Sequence, residues 1–250
     1  MIKPIVVANW KMHFSSRESI QLAKSLALRF SPSIETVVCP SFVHLSSVRE
    51  VFSRTRIHLG AQNVATKSEG AFTGEVSPTQ LRDAGVSHVI IGHSERRTLF
   101  HEDDALVTQK VQAASRARLI PIVCVGDGVV DRSKRNHLSL VRRQLHAVLK
   151  SFRSCPRLWI TYEPLWAVSS FGGRVVEPEE VRRMVYILRE TCRKHFSESQ
   201  IRQKLRFLYG GSVDAENVAS YIDGTHVHGV LVGKASWKAS SFLAISRALS

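Results

Sequence analysis

The stretch "RLWITYEP" at residues 157–164 decides the fold, because an uninterrupted apolar run ends there in a carboxylate. A strand covered on both faces is nearly continuously apolar, whereas a strand with one wet face alternates. The seven other runs of this kind are "PIVVAN" (4–9), "ETVVCP" (35–40), "RIHLGAQN" (56–63), "HVIIGH" (88–93), "IPIVCVG" (120–126), "RFLYGG" (206–211) and "HGVLVG" (228–233). The pattern predicts eight buried parallel strands.

Segments with helical periodicity lie between these runs. Apolar residues recur every three or four positions within residues 138–152 and 179–195. Pro178, followed by two glutamates, predicts one helix start, and Asp214 predicts the N-cap of another. The alternation predicts a single-domain α/β fold, a (β/α)8 barrel over residues 1–250. An open doubly wound sheet is the alternative, but no GxGxxG fingerprint follows the first strand.

The chain is strongly basic, with 35 Lys and Arg against 21 Asp and Glu and a net charge of +14. A solvated basic surface is the favoured interpretation, and a nucleic-acid patch is the alternative. No interleaving of aromatic and basic residues supports the alternative, so we expect no nucleic-acid partner. A positive surface would also attract a small anionic substrate.

The four cysteines, Cys39, Cys124, Cys155 and Cys192, are widely spaced and form no CxxC pair. We predict buried free thiols in a reducing compartment, with a metal or disulfide role as the alternative. The sequence has no run of 18 apolar residues and no leader before its first strand. We therefore expect a cytoplasmic protein with no membrane partner.

Polar residues collect where the predicted strands end, which is the face where barrel enzymes carry their active sites. Glu163 ends an apolar strand, and a partly desolvated carboxylate there gains basicity and suits proton abstraction. His93 precedes a possible helix start, which favours a neutral imidazole. Lys11 offers a positive charge to an anion or oxyanion. The alternatives are a salt-bridging glutamate, a core histidine and a surface lysine.

Two glycine-bearing turns follow the seventh and eighth strands. One contains Gly210, Gly211 and Ser212, and the other contains Gly233 and Lys234. Converging backbone N–H groups and a helix start suit a phosphate. "GVLVGK" is not an ATP-binding loop, because its glycine spacing is too short and Ala follows the lysine. No metal-ligand cluster emerges, so the residues predict an enzyme without metal or cofactor that acts on a small phosphorylated carbonyl compound.

Five segments, in order and spacing, resemble the triosephosphate isomerase family across essentially the whole chain: "ANWKM", "GAQNVATKSEGAFTGEVSPTQLRDAG", "IGHSERR", "YEPLWA" and "YGGSV". The resemblance implies a TIM barrel and a homodimer. It implies interconversion of dihydroxyacetone phosphate and D-glyceraldehyde 3-phosphate, in glycolysis and gluconeogenesis, by proton transfer through an enediol or enediolate. No cofactor is implied.

The resemblance also implies catalytic roles, which are the family's roles carried onto matching positions. Glu163 would be the base, and neutral His93 would move protons at the two oxygens. Lys11 would stabilise the anionic intermediate, and Asn9 would support the same oxygens. Glu95 would hold Lys11.

Two further positions gain an expected place from the resemblance. Cys124 would lie beneath the site. Thr73, in the third βα loop, would approach the active site of the partner subunit. An ordinary glycine-rich surface loop is the alternative for that segment.

The stretch "WAVSSFGGRVVEP" at residues 166–178 would form a lid, with N–H groups near Ser169 and Ser170 reaching the phosphate. It is longer than is usual in the family. Lys234 stands where a second glycine is common, and Asp127 stands where the family usually has Glu. These departures leave open an isomerase for a four-carbon ketose phosphate. A basic binding protein without catalysis is the third hypothesis.

Overall fold

Eight parallel strands close into a barrel in which each strand pairs with the next and the last pairs with the first. The computed structural model describes residues 3–27, 29–152 and 157–250. The strands are β1 (Ile5–Asn9), β2 (Glu35–Cys39), β3 (His58–Ala61), β4 (His88–Ile91), β5 (Ile120–Val125), β6 (Leu158–Tyr162), β7 (Leu205–Tyr209) and β8 (Gly229–Val232). Each lies in one of the eight apolar runs or overlaps it, so the predicted barrel is confirmed.

Helices connect the strands and surround the barrel. In the described part of the chain they are α1 (Ser16–Ala27), α2 (Leu45–Phe52), α3 (Pro78–Asp83), α4 (Ser94–Leu99), α5 (Asp104–Arg116), α6 (Val129–Ser133), α7 (His137–Ser151), α8 (Pro178–Arg193), α9 (Glu198–Lys204), α10 (Val218–Tyr221) and α11 (Ala239–Ala248). Short 3-10 turns occupy Phe42–His44, Leu165–Ala167, Ser169–Phe171 and Lys234–Trp237. None of these helices is long and apolar enough to span a membrane.

One predicted helix start is confirmed and the other is wrong. Pro178 is the first residue of α8, with Glu177 as its N-cap. Asp214 is not an N-cap, because α10 begins at Val218 and Asn217 occupies the N-cap position. The Asp214 carboxylate instead accepts the backbone N–H groups of Glu216 and Asn217. An aspartate can satisfy such amides in a turn as well as at a helix start, which is why its position alone misled.

The apolar runs are continuous because the strands are buried on both faces. Ile5 and Val7 of β1 point into the barrel, whereas Val6 and Ala8 face the helices. The barrel interior is filled by Ile5, Val7, Val37, Cys39, Ile90, Ile122, Cys124, Trp159, Leu208 and Leu231. This packed interior leaves the rim at the carboxyl ends of the strands as the place for a site.

Three of the four cysteines lie in the described residues, and they are buried free thiols as predicted. Cys39 and Cys124 lie in the barrel interior, and Cys192 lies between the barrel and its helices. Burial raises the pKa of all three thiols, which keeps them in the unreactive neutral form. Cys155 lies outside the described residues.

Candidate active site

Glu163 and His93 meet at the carboxyl end of the barrel. Glu163 follows β6 directly, and His93 follows β4 by two residues. His93 Nε2 lies 2.9 Å from Glu163 Oε1. The same carboxylate accepts the Ser94 backbone N–H at 3.0 Å and the Ser94 hydroxyl at 2.9 Å. Both side chains are almost fully buried, so these short contacts orient the carboxylate away from bulk water.

The proton on His93 can be placed from its backbone partner. His93 is the N-cap of α4, and its Nδ1 accepts the backbone N–H of Glu95 at 3.2 Å. An amide N–H can only donate, so Nδ1 carries no proton. A neutral imidazole then carries its proton on Nε2 and donates it to Glu163. The local geometry therefore fits the neutral histidine expected from the helix start.

The basicity of Glu163 differs from the sequence prediction. Burial by itself raises the pKa of this carboxyl. The contact with His93 and the two hydrogen bonds from Ser94 favour the ionised form more strongly, and they hold the pKa below its usual value. The expectation of raised basicity was therefore wrong for this arrangement. Ser94 is the residue that sequence reasoning missed, although its place directly after His93 was visible.

Lys11 and Asn9 stand at the end of β1. Lys11 Nζ forms an ion pair with Glu95 Oε1 at 2.5 Å, as the predicted role of Glu95 requires. Asn9 Oδ1 accepts the Lys11 backbone N–H at 3.0 Å, and Lys11 has a positive φ of 52°. A non-glycine residue held in this region is uncommon and costs conformational energy. The amide of Asn9 thus helps to fix the backbone that aims the Lys11 ammonium.

The glycine turns lie against these groups. A Cβ on Gly210 would come within 3.5 Å of the Glu163 side chain, and a Cβ on Gly233 would lie 3.5 Å from Lys11 Cε. One cavity is lined by Asn9, Lys11, His93, Glu163, Val168, Ser169, Gly210, Gly211, Leu231 and Gly233. An adjoining surface depression is lined by Ser169, Gly211, Ser212, Val213, Asp214, Gly233, Lys234, Ala235, Lys238 and Ser241. Lys234 is exposed at this outer edge.

The predicted lid lies over the cavity. Ser212 Oγ lies 2.9 Å from the carbonyl oxygen of Ala167 and 3.0 Å from that of Gly173, so this hydroxyl contacts the lid. Ser170 Oγ lies 3.0 Å from Lys11 Nζ and 2.5 Å from Glu95 Oε1. Ser169 lines the cavity and the outer depression. All the predicted site residues at the strand ends and in the lid are therefore brought to one region.

The first turn of the predicted lid is anchored by a network around Asp127, which is fully buried. Arg132 Nε contacts Asp127 Oδ2 at 2.6 Å, and the Tyr162 hydroxyl donates to Asp127 Oδ1 at 2.9 Å. Trp166 Nε1 donates to Asp127 Oδ2 at 3.4 Å, and the Arg132 guanidinium lies 4.7 Å from the Trp166 ring centroid. Asp127 therefore keeps charged and aromatic partners although it is shorter than Glu.

Two further residues were expected near the site, Cys124 beneath it and Thr73 in the third βα loop. Cys124 is buried in β5, and both burial and the nearby Glu163 charge raise its thiol pKa. This agrees with the predicted place beneath the base. Thr73 is exposed in the loop between β3 and α3. Its approach to a partner subunit stays a prediction.

The described ranges 3–27, 29–152 and 157–250 hold no group of three or more His, Cys, Asp or Glu arranged to bind a metal ion. A carboxylate, an imidazole and an ammonium group line one cavity, on Glu163, His93 and Lys11. The carboxylate can accept a proton, the imidazole can donate one, and the ammonium can stabilise a negative oxygen. Together with the (β/α)8 barrel, this set defines an enzyme of the acid–base class.

Comparison with known proteins narrows this class. The sequence model of the family described as triosephosphate isomerase matches residues 4–249. The chain is 38% identical over 256 residues to the triosephosphate isomerase of Flavobacterium johnsoniae, with all of both chains covered. It is 40% identical over 252 residues to that of Symbiobacterium thermophilum, which covers 99% of this chain and 97% of the relative. The chain belongs to the triosephosphate isomerase family.

Proposed function

We propose that this protein interconverts dihydroxyacetone phosphate and D-glyceraldehyde 3-phosphate, as an intramolecular oxidoreductase of glycolysis and gluconeogenesis that needs no metal or cofactor. The observation that carries the proposal is the convergence of Glu163, His93 and Lys11 on one cavity. These side chains come from the ends of three different strands, β6, β4 and β1. The names of the relatives support the same reaction.

The arrangement supports a proton transfer between the two carbons of the substrate. Glu163 removes a proton from the carbon beside the carbonyl group, and the electron pair of that bond moves toward the carbonyl oxygen. His93 Nε2–H donates a proton to that oxygen and takes the proton of the neighbouring hydroxyl. Lys11 and Asn9 hold the two oxygens while negative charge develops. Glu163 then returns its proton to the neighbouring carbon.

The phosphate would bind between the two glycine turns and the lid. Gly211 and Ser212 lie on one side, Gly233 and Lys234 on the other, and Ser169 and Ser170 on the lid. Backbone N–H groups in such turns suit an anion, and a closed lid excludes water from a reactive intermediate. The contacts of Ser212 with the lid carbonyls support closure over this place.

A four-carbon ketose phosphate is the second candidate substrate. The long lid and the exposed Lys234 favour it, because both lie where a larger phosphate ester would differ from a triose phosphate. Val168 and Ser169 line the same cavity as Glu163 and His93, which favours the shorter substrate. We therefore retain the triose phosphates as the main proposal.

A coupled assay of the purified protein tests the proposal. It compares glyceraldehyde 3-phosphate with a four-carbon ketose phosphate at equal concentrations. We expect kcat/KM to be higher for the triose phosphate by about tenfold or more, since an extra carbon must fit under the lid. The reverse order would establish the second candidate. Turnover of neither compound, together with nucleic-acid binding that survives physiological salt, would favour a binding protein.

We also propose a homodimer. Met12, Val43 and Phe72 are large apolar side chains that are 94%, 81% and 49% exposed. They lie in the loops after β1, β2 and β3, which neighbour one another at the same end of the barrel. Thr73 belongs to the third loop. Neighbouring exposed apolar groups are typical of an interface, so light scattering should give twice the 28.0 kDa chain mass. A mass of one chain would contradict this.

The cytoplasm is the compartment we propose. Glycolytic chemistry and the three buried free thiols in the described residues support it, since a reducing compartment preserves thiols. We propose a small phosphorylated substrate and a second copy of the chain as partners, and neither a nucleic acid nor a membrane.

A further inference from the structure

The tip of the lid reaches the Lys11–Glu95 ion pair through one hydroxyl. Ser170 Oγ accepts a hydrogen bond from Lys11 Nζ at 3.0 Å and donates one to Glu95 Oε1 at 2.5 Å. Lys11 Nζ and Glu95 Oε1 are themselves 2.5 Å apart. The three groups therefore form a closed triangle, with one corner on the lid and two on the barrel rim.

The donor inventory shows why this triangle bears on the reaction. An ammonium group has three N–H donors and no acceptor. Lys11 directs one donor to Glu95 and one to Ser170, which leaves one for a substrate oxygen. Two fixed partners restrict rotation about the end of a long, flexible side chain. The direction of the third donor is then set by the lid as well as by the barrel.

The conformation of the long lid brings Ser170 to Lys11 and Glu95. Ser169–Phe171 form a 3-10 turn, and Gly172 and Gly173 then reverse the chain with φ values of 138° and 63°. Glycine tolerates both values without strain. A Cβ on Gly172 would also lie 3.3 Å from the Trp166 carbonyl oxygen. The tip is thus folded back on the start of the lid, with the Ser170 hydroxyl turned toward the barrel rim.

We propose that Ser170 is a positioning residue, whose hydroxyl couples closure of the lid to the orientation of the Lys11 ammonium group. The proposal rests on the proposed isomerase function. With the lid closed, the hydroxyl bridges the ion pair. With the lid open, water takes its place and the ammonium is less restricted. Full electrostatic stabilisation by Lys11 is therefore reached only over a bound, covered substrate.

The coupling has a signature in pH. Burial raises the pKa of Glu95, but hydrogen bonds from Lys11 and Ser170 and the nearby His93 and Lys11 bring it below the usual value. The ionised carboxylate is the form that holds Lys11. Loss of the Ser170 hydroxyl removes one contact to that form, so the pKa of Glu95 must rise. As the solution is acidified, Glu95 then becomes protonated at a higher pH. Activity that depends on its ion pair with Lys11 is lost at that higher pH.

Three lid variants test the proposal in one assay. Ser170→Ala removes the bridge, Ser170→Thr keeps a hydroxyl, and Val175→Ala shortens an exposed side chain elsewhere in the lid. We expect Ser170→Ala to lower kcat about tenfold, the usual effect of a hydrogen bond to a charged group, with a smaller change in KM. Its acid limb should move to higher pH. Ser170→Thr should recover most of the loss, and Val175→Ala should keep the wild-type acid limb.

The outcomes separate this proposal from the proposed function. Wild-type protein without isomerase activity overturns the function. Active wild-type protein with an unchanged kcat in Ser170→Ala overturns only the coupling, and so does an equal shift of the acid limb in Val175→Ala. Carbon-13 NMR titration of Glu95 needs no turnover. We expect a higher pKa in Ser170→Ala than in wild type, and equal values would contradict the bridge.

Discussion

Two buried histidines stand at opposite ends of strand β4. His88 is its first residue and is 2% exposed, and His93 follows its end and is 6% exposed. Exposure does not separate them, but their neighbours do. The His88 ring packs 4.5 Å from the Trp159 ring, and its Nε2 atom is buried without a hydrogen-bond partner in the described part of the chain. His93 has a partner at each nitrogen.

The electrostatic surroundings follow the same division. Burial and then the charges of His58 and Arg157 hold the pKa of His88 well below its usual value. His88 is therefore a neutral packing group at the amino end of the barrel. His93 faces a carboxylate and an ion pair at the carboxyl end. In a (β/α)8 barrel the active-site loops follow the carboxyl ends of the strands. The position of each histidine along β4 therefore indicates its role.

The largest expected effect is a loss of kcat at His93 that has no counterpart at His88. His93→Gln should lower kcat about 100- to 10,000-fold, because a proton donor is lost, with little change in melting temperature. His88→Ala should reduce the free energy of unfolding by about 2–4 kcal/mol, because a buried ring leaves a cavity. Its kcat per folded molecule should stay near that of wild type. Steady-state kinetics and denaturant unfolding measure both. Similar losses of kcat in the two variants would undo the comparison.

The same Gly→Ala change at two glycines extends the comparison to the two ends of the barrel. A Cβ at Gly126 would overlap the Glu163 carbonyl oxygen, and a Cβ at Gly229 would overlap that of Ile5. Each Gly→Ala change should cost about 1–3 kcal/mol of stability through overpacking. Only Gly126→Ala should also lower kcat, by about tenfold or more, since it displaces the backbone of the base. Calorimetry supplies the folded fraction for the kinetics. Equal kcat losses would deny any difference between the ends.

A smaller effect concerns the pH dependence set by Ser94. Ser94→Ala removes the hydroxyl contact to Glu163 Oε1 but keeps the backbone contact. The contact favours the ionised form, so its loss raises the pKa of Glu163. The ionised form is the active base, and activity should fall earlier as pH decreases. The acid limb of kcat/KM should therefore move to higher pH. A downward shift would contradict the sign.

The smallest effect is expected at the exposed edge of the phosphate turn. Lys234→Gly should raise KM by about two- to fivefold and leave kcat nearly unchanged, because an exposed charge contributes little in water. The difference from wild type should shrink as salt is added. A large fall in kcat instead would show that Lys234 acts in the transition state.

Much of the barrel could be predicted from the sequence because strands buried on both faces have nearly continuous apolar sequences. The eight strands and the three catalytic candidates follow from apolar runs and the polar residues after them. The helix starting at Pro178 follows from proline geometry. These signals lie in adjacent residues, so they can be recognised without knowing which residues are neighbours in the folded protein.

Two features that sequence reasoning missed, the lowered pKa of Glu163 and the contact of Ser170 with Lys11, depend on residues far apart in the chain. Although burial raises it, the pKa of Glu163 is lowered by the contact with His93 and then by two hydrogen bonds from Ser94, and both residues are distant from Glu163 in sequence. The Ser170 hydroxyl meets Lys11 across 159 positions. Asp214 misled for another reason, since one side chain can serve a turn or a helix start equally well.

Removal of the Glu163 carboxylate tests the central claim most directly. Glu163→Gln keeps the shape of the side chain and loses the base. Hydrogen exchange of dihydroxyacetone phosphate in deuterated water, followed by NMR, measures proton removal itself. We expect exchange to fall by about 1,000-fold or more, while a phosphate-bearing competitive ligand binds with nearly wild-type affinity. Exchange at a near-wild-type rate in Glu163→Gln would contradict the account.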